Sequence, residues 1–354
     1  MTTTASPPRS FNGIGTIVSL ELAQRVRSTA WYVLLGVFAV LMLGMTALLL
    51  PIAGRQNQGG GYAFSTIVFF VLLLGTLITP ALSGGSVNGD REAGTLATTQ
   101  VTLVRTGALL LGKVLAAWVS SLALVVIALP FLAVAVTAGG MRVDTVLVSV
   151  LVVAVELGVV AAIGVGLSAL LTRTVFSVVV TYLIVAALSL GTLLAFGLGG
   201  LALQTDQLVR SREPASDSSS GSSNLLVCDP WTEVHESVPR FDYVWWLLSA
   251  NPYVVLSDAV PASFTKEGNP NDLFAGLASG ARAAQIAPKA VLTYDGCSNN
   301  DSNGPTPAQV MARTVPSWFV GLGLHLLLAA AILFGAWRAL LTPTRRLPRG
   351  SRVA

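Results

Sequence analysis

The chain has 354 residues, of which 53% are hydrophobic and only 11% are charged. An ordinary soluble domain carries about 25% charged residues, so the composition excludes that class and predicts a protein that crosses a membrane several times. The formal net charge is +4, but no basic patch interleaved with aromatic residues occurs. We therefore predict no nucleic-acid partner.

The N-terminal region contains a polar tail, residues 1–13, followed by a periodic segment, residues 14–28. In that segment apolar residues recur at spacings of three and four, namely Ile14, Ile17, Val18, Leu22 and Val26. The other side carries Glu21, Gln24, Arg25 and Arg27. This pattern predicts a cytoplasmic tail and an amphipathic helix that lies in the membrane interface. The alternative is a helical extension of the first membrane span.

Six apolar runs are long enough to cross about 30 Å of hydrocarbon, which takes about 20 helical residues. They lie at residues 31–50, 63–82, 114–137, 145–171, 175–198 and 316–341. Each run is continuously apolar, whereas a barrel strand alternates. We therefore predict an all-α polytopic membrane protein with six transmembrane helices, five of them within residues 29–202.

Lysine and arginine residues predict the orientation of these spans. With the N-terminus in the cytoplasm, twelve of the 21 Lys and Arg residues lie on the cytoplasmic side. The two short outer loops then carry only Arg55 and Arg142. We expect a multi-pass protein of a bacterial plasma membrane with both termini in the cytoplasm, including a C-terminal tail at residues 342–354.

A polar island, residues 88–113, interrupts the apolar sequence after the second span. It reads NGDREAGTLATTQVTLVRTGALLLGK, with Asp90, Arg91 and Glu92 adjacent to one another. Three adjacent charged side chains in hydrocarbon would cost several kcal/mol. The island therefore predicts a cytoplasmic loop or surface helix, within a loop at residues 84–113. A solvated loop with no binding role is the alternative.

The island ends in a near-match to a phosphate-binding loop. Gly107, Gly112 and Lys113 give G-x-x-x-x-G-K. Val114, however, stands where Ser or Thr would hold magnesium, and no strand precedes the motif. We therefore reject nucleotide binding by this chain. Lys113 is predicted instead to be an anchor at the inner membrane face, with its charge in water.

The long segment between the fifth and sixth spans, residues 203–315, is predicted to be an extracytoplasmic domain. It holds twelve of the 17 acidic residues and both cysteines, Cys228 and Cys297. A pair of cysteines found only in an outward-facing region indicates a disulfide, which contributes about 4 kcal/mol in a loop of this size. Two unpaired thiols are the alternative.

Residues 241–260 are the most apolar part of that segment. The run is broken at Asn251 and is too short on either side to cross a membrane. It predicts a pair of short helices at the outer membrane face, with Trp245, Trp246 and Tyr253 at headgroup depth. A small soluble core inside the domain is the alternative.

Two ionisable residues fall inside predicted spans, Glu156 in the fourth and His325 in the sixth. Such residues are candidates for function, and a partner such as His325 would support the charge of Glu156. In the functional interpretation they line a transport path or a subunit interface. In the structural interpretation they form a hydrogen bond that ties two helices together.

The sequence lacks zinc-binding spacings and hydrolase motifs such as G-x-S-x-G and H-E-x-x-H. We therefore predict no catalytic residue, metal or cofactor in this chain. Two rival classes stay open. One is a membrane-anchored enzyme whose candidate residues are Asp229, Glu233, His235 and Glu236. The other is a sensor or scaffold that binds a ligand on its extracytoplasmic domain.

The order of these elements resembles that of the membrane subunit of an ABC-2 type exporter. In that family the inner loop after the second span resembles E-R-E-x-G-T-L-E-x-L-L, followed by a Pro, an Arg and G-K. The residues that match this pattern are Asp90, Arg91, Glu92, Gly94, Thr95, Leu96, Arg105, Gly112 and Lys113. Thr102 stands where the family often has proline, and Ala97 replaces the usual glutamate.

The resemblance implies a transport subunit and not an enzyme. The interfacial helix, with Glu21, Arg25 and Arg27, and the charged loop would contact an ATP-binding subunit. That subunit, present in two copies, would hold ATP and magnesium. A second permease subunit, identical or related, would complete the pathway within the membrane lipid. An apolar lining with few charges favours an amphipathic or lipidic substrate.

Overall fold

The computed structural model describes residues 10–53, 59–94, 106–139, 141–214, 228–297 and 304–341. The helices of its first part are α1 (Ser10–Val26), α2 (Thr29–Ala53), α3 (Gly59–Ser83), α4 (Ser86–Glu92), α5 (Thr106–Gly139), α6 (Val143–Leu170), α7 (Thr174–Ala186) and α8 (Thr192–Ala202). A π-helical turn, Ala187–Gly191, joins α7 and α8.

The second part of the described chain forms a small sheet and further helices. They are β1 (Gln204–Arg212), β2 (Thr232–Pro239), a 3-10 turn (Phe241–Tyr243), α9 (Trp245–Ser249), α10 (Pro252–Ala259), α11 (Leu273–Ala283), β3 (Val291–Asp295), α12 (Pro307–Arg313) and α13 (Trp318–Leu340).

Six helical segments of the described chain are long and apolar enough to cross a membrane, namely α2, α3, α5, α6, the α7–α8 pair and α13. A helix satisfies its own backbone hydrogen bonds, as hydrocarbon requires. The chain is mostly helical, as predicted for a multi-pass membrane protein, and each predicted span coincides with one of these segments. It is not all-α as predicted, because the segment between α8 and α13 contains a three-stranded sheet. The main difference is α5, which begins at Thr106 and is about 51 Å long, well beyond the hydrocarbon thickness.

The core of the bundle lies where α3, α5 and α6 pack together. The side chains that meet there include Phe64, Leu72, Leu124 and Leu157, none of which has exposed surface. Apolar side chains on the outside of the bundle stay exposed, as Val40 of α2 does. Hydrocarbon tolerates such a surface, because lipid tails are themselves apolar.

One end of the bundle, called the α1 end below, carries α1 and α4. α1 packs against α5, with Ile17 beside Gly112. The helix stops at Arg27 and Ser28 before α2 begins. α1 and α2 are therefore two separate helices, and the location of α1 in the membrane interface stays a prediction.

The opposite end, called the sheet end below, carries the segment between α8 and α13. Its described strands form a sheet in the order β2-β1-β3, in which β1 pairs antiparallel with β2 and parallel with β3. Cys228 lies just before β2 and Cys297 just after β3, and the two form a disulfide. The predicted disulfide is confirmed, and it joins the two edges of the sheet.

The helices α9 and α10 enter the bundle at the sheet end. α10 packs against α6, α11 and α13. Val255 and Leu256 of α10 have no exposed surface, and Leu256 belongs to the same core as Phe64 and Phe274. The predicted pair of short helices is confirmed. The alternative of a separate small core is wrong, because these side chains complete the core of the bundle.

A buried ion pair fixes this segment to the start of α13. Arg282 of α11 donates from Nε to Oδ1 of Asp258 in α10 at 2.5 Å. Oδ2 of Asp258 accepts hydrogen bonds from the backbone N–H groups of Ser317 and Trp318 at 2.5 and 2.9 Å. The first N–H groups of a helix lack partners within it, so Asp258 caps α13.

Gly321 allows the close approach of α13 to α9 and α10. A Cβ atom at this position would lie 1.9 Å from the carbonyl oxygen of Ser249 and 2.5 Å from Cγ2 of Val255. We expect Gly321→Ala to lower stability by about 1–3 kcal/mol through this overpacking, measured as a lower unfolding temperature in detergent. Gly323→Ala is the matched control, since a Cβ there meets no atom within 4 Å. Equal unfolding temperatures for the two variants would contradict the close packing.

Candidate functional site

A polar cluster at the α1 end is centred on Lys113 of α5, whose side chain is only 1% exposed. Its ammonium group donates hydrogen bonds to Glu21 of α1, to Asp90 of α4 at 2.6 Å and to the carbonyl oxygen of Ser86 at 2.9 Å. An ammonium group has three donors, so all of them are used. The prediction of an anchor with its charge in water is wrong. We call these four residues the Lys113 cluster.

The short helix α4 is held against the end of α6. The backbone N–H groups of Val87 and Asn88 donate to Oγ of Ser168 at 3.0 and 3.1 Å. Ser168 thus caps α4 from a neighbouring helix. Arg91 donates to Oδ1 of Asn88 at 2.8 Å and to the carbonyl oxygen of Leu171 at 3.1 Å. The capping role of Ser168 was not predicted, because nothing in an apolar run marks one serine as a cap for a distant helix.

The end of α4 contacts the start of α7. Oε1 of Glu92 accepts hydrogen bonds from Oγ1 and the backbone N–H of Thr174, at 2.8 and 3.3 Å. A carboxylate is favourable there because the helix dipole is positive at the N-terminus. Gly94 has φ 71°, a left-handed conformation that glycine adopts without strain and that commonly ends helices.

The charged residues of α1 do not all face outward. Glu21 contacts Lys113, and Arg25 donates from Nη2 to the carbonyl oxygen of Leu82 at 2.8 Å. Burial lowers the pKa of the Arg25 guanidinium, and the charge of Glu21 opposes that shift. The expected position of Glu21 and Arg25 on the side away from the packed residues is therefore wrong. Arg27 lies beyond the end of α1 and is exposed.

The charged island forms contacts within this chain, whereas its charges were expected to pair with a soluble partner. Asp90, Arg91 and Glu92 each bond to another element of the bundle. The exposed face of α4 is formed by Gly89, Glu92 and Ala93, which are neighbours on the helix surface. The predicted coupling residues Thr95, Leu96 and Arg105 lie outside the described residues.

Several buried polar atoms near the cluster have no hydrogen-bond partner within the described part of the chain. They are Nη1 of Arg25, Oγ of Ser86 and Nδ2 of Asn88. A buried polar group without a partner costs about 1–3 kcal/mol. The α1 end therefore has hydrogen-bonding capacity that the described residues do not use.

A second polar contact lies inside the bundle, between α6 and α13. Glu156 and His325 are each only 1% exposed. Nδ1 of His325 lies 3.1 and 3.0 Å from the two carboxyl oxygens of Glu156, and its Nε2 lies 2.7 Å from the carbonyl oxygen of Ala250. The predicted partnership of the two side chains is confirmed. Since His325 is about 10 Å along α13, the turn that contains Ala250 reaches into the bundle.

The same turn also contacts the π-helical turn between α7 and α8. Nδ2 of Asn251 donates to the carbonyl oxygen of Ser189 at 2.6 Å and to Oγ1 of Thr192 at 3.0 Å. Its Oδ1 accepts from the backbone N–H of Tyr253 and caps α10. π-helical turns occur frequently at functional sites. This π-helical turn was not predicted, because the apolar run continues through it. We call Ala250 and Asn251 the α9–α10 turn.

An apolar cavity of about 730 Å³ lies beside the α9–α10 turn. Its walls come mainly from α3, the α7–α8 pair, α10 and α11, and include Phe70, Leu73 and Leu190. Tyr253 also lines it and packs on Phe69, with ring centroids 6.4 Å apart. Tyr253 thus contacts the cavity and the bundle, and its location at headgroup depth stays a prediction. Ligand cavities commonly measure about 300–1,000 Å³ and are mostly apolar.

The residues considered for an enzyme are spread over two faces of the sheet. Side chains alternate along a strand, so Glu233 and His235 lie on one face of β2 and Glu236 on the other. Glu233 pairs with Arg210 at 2.5 Å, and Asp229 precedes the strand. No three His, Cys, Asp or Glu side chains of the described ranges are grouped so that they could hold a metal ion.

No family model matches the chain, and no curated protein matches it. A function is therefore inferred from the residue pattern and from the contacts described above. The Lys113 cluster is the buried ionic arrangement on which that inference rests.

Lys113→Met should destabilise the α1 end, because the carboxylates of Glu21 and Asp90 lose the cation between them. Removing one partner of a buried ion pair costs about 3–5 kcal/mol, and we expect the lower value because Asp90 is partly exposed. The measurement is thermal unfolding in detergent. Lys266→Met is the matched control at an exposed lysine and should unfold like the wild type.

Neutralising the two acids restores the balance of charge. The triple variant Lys113→Met, Glu21→Gln and Asp90→Asn should recover much of the lost stability, since a buried ion pair replaced as a whole is often near neutral in stability. An unfolding temperature of Lys113→Met equal to that of Lys266→Met would contradict the role of the cluster.

Proposed function

We propose that this chain is the membrane-spanning subunit of an ABC-2 type exporter. A separate subunit in two copies binds ATP and magnesium and hydrolyses the nucleotide. This chain and a second permease subunit, identical or related, move an amphipathic or lipidic substrate across the cytoplasmic membrane. The chain itself is a transport subunit and performs no catalytic step.

The observation that carries the proposal is the connection of α1 and α4 to α5 through Lys113. In the family that the sequence resembles, the N-terminal helix and the charged inner loop contact the ATP-binding subunit. Here a buried ammonium group fixes those two elements to each other and to a membrane-crossing helix. Ser168 and Thr174 extend the connection to α6 and α7. A displacement of α4 is therefore transmitted to several spans at once.

The surface offered to the ATP-binding subunit is the exposed face of α4, formed by Gly89, Glu92 and Ala93. Two of these residues are small, so a partner can approach the helix backbone closely. The unpartnered polar atoms of Arg25 and Ser86 lie in the adjoining contacts. A docked partner that reorders these contacts can satisfy them, which would favour the bound state.

The positive charge of the α1 end supports a cytoplasmic location for it. The described cationic residues there include Arg25, Arg27, Arg91, Lys113, Arg173 and Arg338. The sheet end then lies outside, and it is the end that carries the disulfide. Disulfides persist in oxidising compartments, so the charge pattern and the disulfide agree on one orientation.

The apolar cavity supports the proposed class of substrate. Its lining is mostly aliphatic and aromatic, with a few hydroxyl groups from residues such as Thr76 and Tyr182. Burial of one CH₂ group contributes about 0.8 kcal/mol, so the binding free energy of an alkyl chain in this cavity becomes more favourable with each added CH₂ group. The few hydroxyl groups suit the polar part of an amphipathic molecule.

Purification of the tagged chain from its native host in a gentle detergent, followed by mass spectrometry, tests the proposal. We expect a stoichiometric soluble ATPase to co-purify with the wild type. Gly89→Trp should remove it, because a large side chain would block the exposed face of α4. A Cβ at Gly89 meets no atom within 4 Å, so the bundle itself should remain folded.

Gly280→Trp is the matched control for this experiment. Gly280 lies on α11 at the sheet end, and a Cβ there is equally free of contacts. This variant should retain the ATPase. Recovery of the wild-type chain without an ATPase would contradict the proposal and favour the enzyme or sensor class. Retention of the ATPase by Gly89→Trp would contradict the docking face.

A further inference from the structure

The contacts of His325 determine how many protons the Glu156–His325 pair holds. Its Nε2 lies 2.7 Å from the carbonyl oxygen of Ala250. A carbonyl oxygen only accepts hydrogen bonds, so Nε2 carries a hydrogen in this arrangement. The histidine is therefore either the tautomer protonated at Nε2 or the doubly protonated cation.

The contact on the other side of the ring requires one more proton. Nδ1 of His325 lies 3.1 and 3.0 Å from the oxygens of Glu156. Two groups with only lone pairs repel each other, so a hydrogen must lie between them. It resides either on Nδ1, beside a carboxylate, or on the carboxyl group, beside a neutral ring. Both descriptions give the pair the same total of two protons.

Loss of one of these protons is incompatible with the observed contacts. If Nε2 keeps its hydrogen, the lone pair of Nδ1 faces the carboxylate of Glu156. If the hydrogen moves to Nδ1, the lone pair of Nε2 faces the carbonyl oxygen of Ala250. Both side chains are only 1% exposed, so water does not screen either repulsion. One of the two contacts must then break.

We propose that Glu156 and His325 form a proton-binding site inside the bundle, and that release of its proton frees the α9–α10 turn from α13. The proton passes to water, and the pair changes from two bound protons to one. The remaining hydrogen then stays on Nδ1, where the carboxylate of Glu156 holds it, and Ala250 loses its donor.

The freed turn is connected to both the α7–α8 pair and the cavity. Asn251 bonds to Ser189 in the π-helical turn, and Tyr253 lines the cavity. Proton occupancy thereby controls the wall of the cavity nearest the sheet end. This inference does not require an ATP-binding partner, so it stands or falls separately from the proposed transport function.

Other ionisable groups on the elements packed around the pair are engaged elsewhere or lie toward helix ends. Those of α3, α5, α6, α10, α11 and α13 within the described ranges are Tyr62, Lys113, Asp144, Tyr253, Asp258, Arg282 and Arg338. Asp258 pairs with Arg282, Asp144 pairs with Arg142, and Lys113 belongs to its own cluster. In the described chain the ion pairing of His325 is with Glu156.

The test uses the full chain in lipid nanodiscs. The chain has only two histidines, so His235→Gln leaves His325 as the single histidine. We would label its ring with ¹⁵N and follow its resonances from about pH 5 to about pH 10, which includes the range in which an unperturbed histidine changes charge. Hydrogen exchange of residues 245–259, corrected for the intrinsic pH dependence, is measured on the same samples.

We expect one proton to leave Nε2 as the pH rises. At the same pH the hydrogen-exchange rate of the backbone amides of residues 245–259 should increase about tenfold or more. Glu156→Gln should abolish the transition. Its amide donates permanently to Nδ1, so Nε2 keeps its hydrogen and the turn stays protected throughout. The wild-type chain, with His235 intact, should show the same exchange transition as His235→Gln.

Either of two results would overturn the proposal. One is exchange of residues 245–259 that does not change with pH in the wild type and in His235→Gln. The other is a pH transition that persists in Glu156→Gln. Should Glu156→Gln fail to fold, the wild-type data decide the question, because loss of the Nε2 hydrogen and exposure of the turn must then occur at the same pH.

Discussion

The structure depends on one buried charge, the ammonium group of Lys113. A cation removed from water is tolerated only when its donors are all satisfied and its charge is balanced. Glu21 and Asp90 provide that balance from two separate elements, and Ser86 takes the third hydrogen bond. Because none of these elements can move without exposing or unpairing the lysine, α1, α4 and α5 act as one body.

At the sheet end, too, buried polar groups must have hydrogen-bond partners within the protein. A break between helices leaves backbone groups unpaired, and such backbone is tolerated inside a membrane protein only where the protein buries and satisfies it. The α9–α10 turn meets this condition through His325, which bonds Ala250, and through Asn251, which bonds the π-helical turn and caps α10. The bundle thus uses buried ionisable groups for different purposes. The Lys113 cluster and the Asp258–Arg282 pair fix elements together, whereas we propose that the Glu156–His325 contact depends on a proton.

Much of this architecture could be predicted from the sequence, because long apolar runs, paired outer cysteines and ionisable residues inside spans each have one favoured physical outcome. The burial of Lys113 could not be predicted, since its partner Glu21 lies 92 residues away and no local pattern brings the two together. The predicted orientation of Glu21 and Arg25 was wrong for a related reason. The prediction assumed that only apolar residues of α1 face the bundle, whereas this face of α1 packs against polar groups. The π-helical turn and the cavity depend on packing between distant helices.

Photo-crosslinking from the exposed face of α4 in living cells tests the central claim most directly. A photoreactive amino acid in place of Gly89 points away from this chain, since a Cβ there meets no atom within 4 Å. The account predicts that mass spectrometry of the cross-linked product identifies an ATP-binding subunit. Cross-links only to lipid, or to a signalling protein such as a histidine kinase, would contradict the role of this chain as the membrane subunit of an exporter.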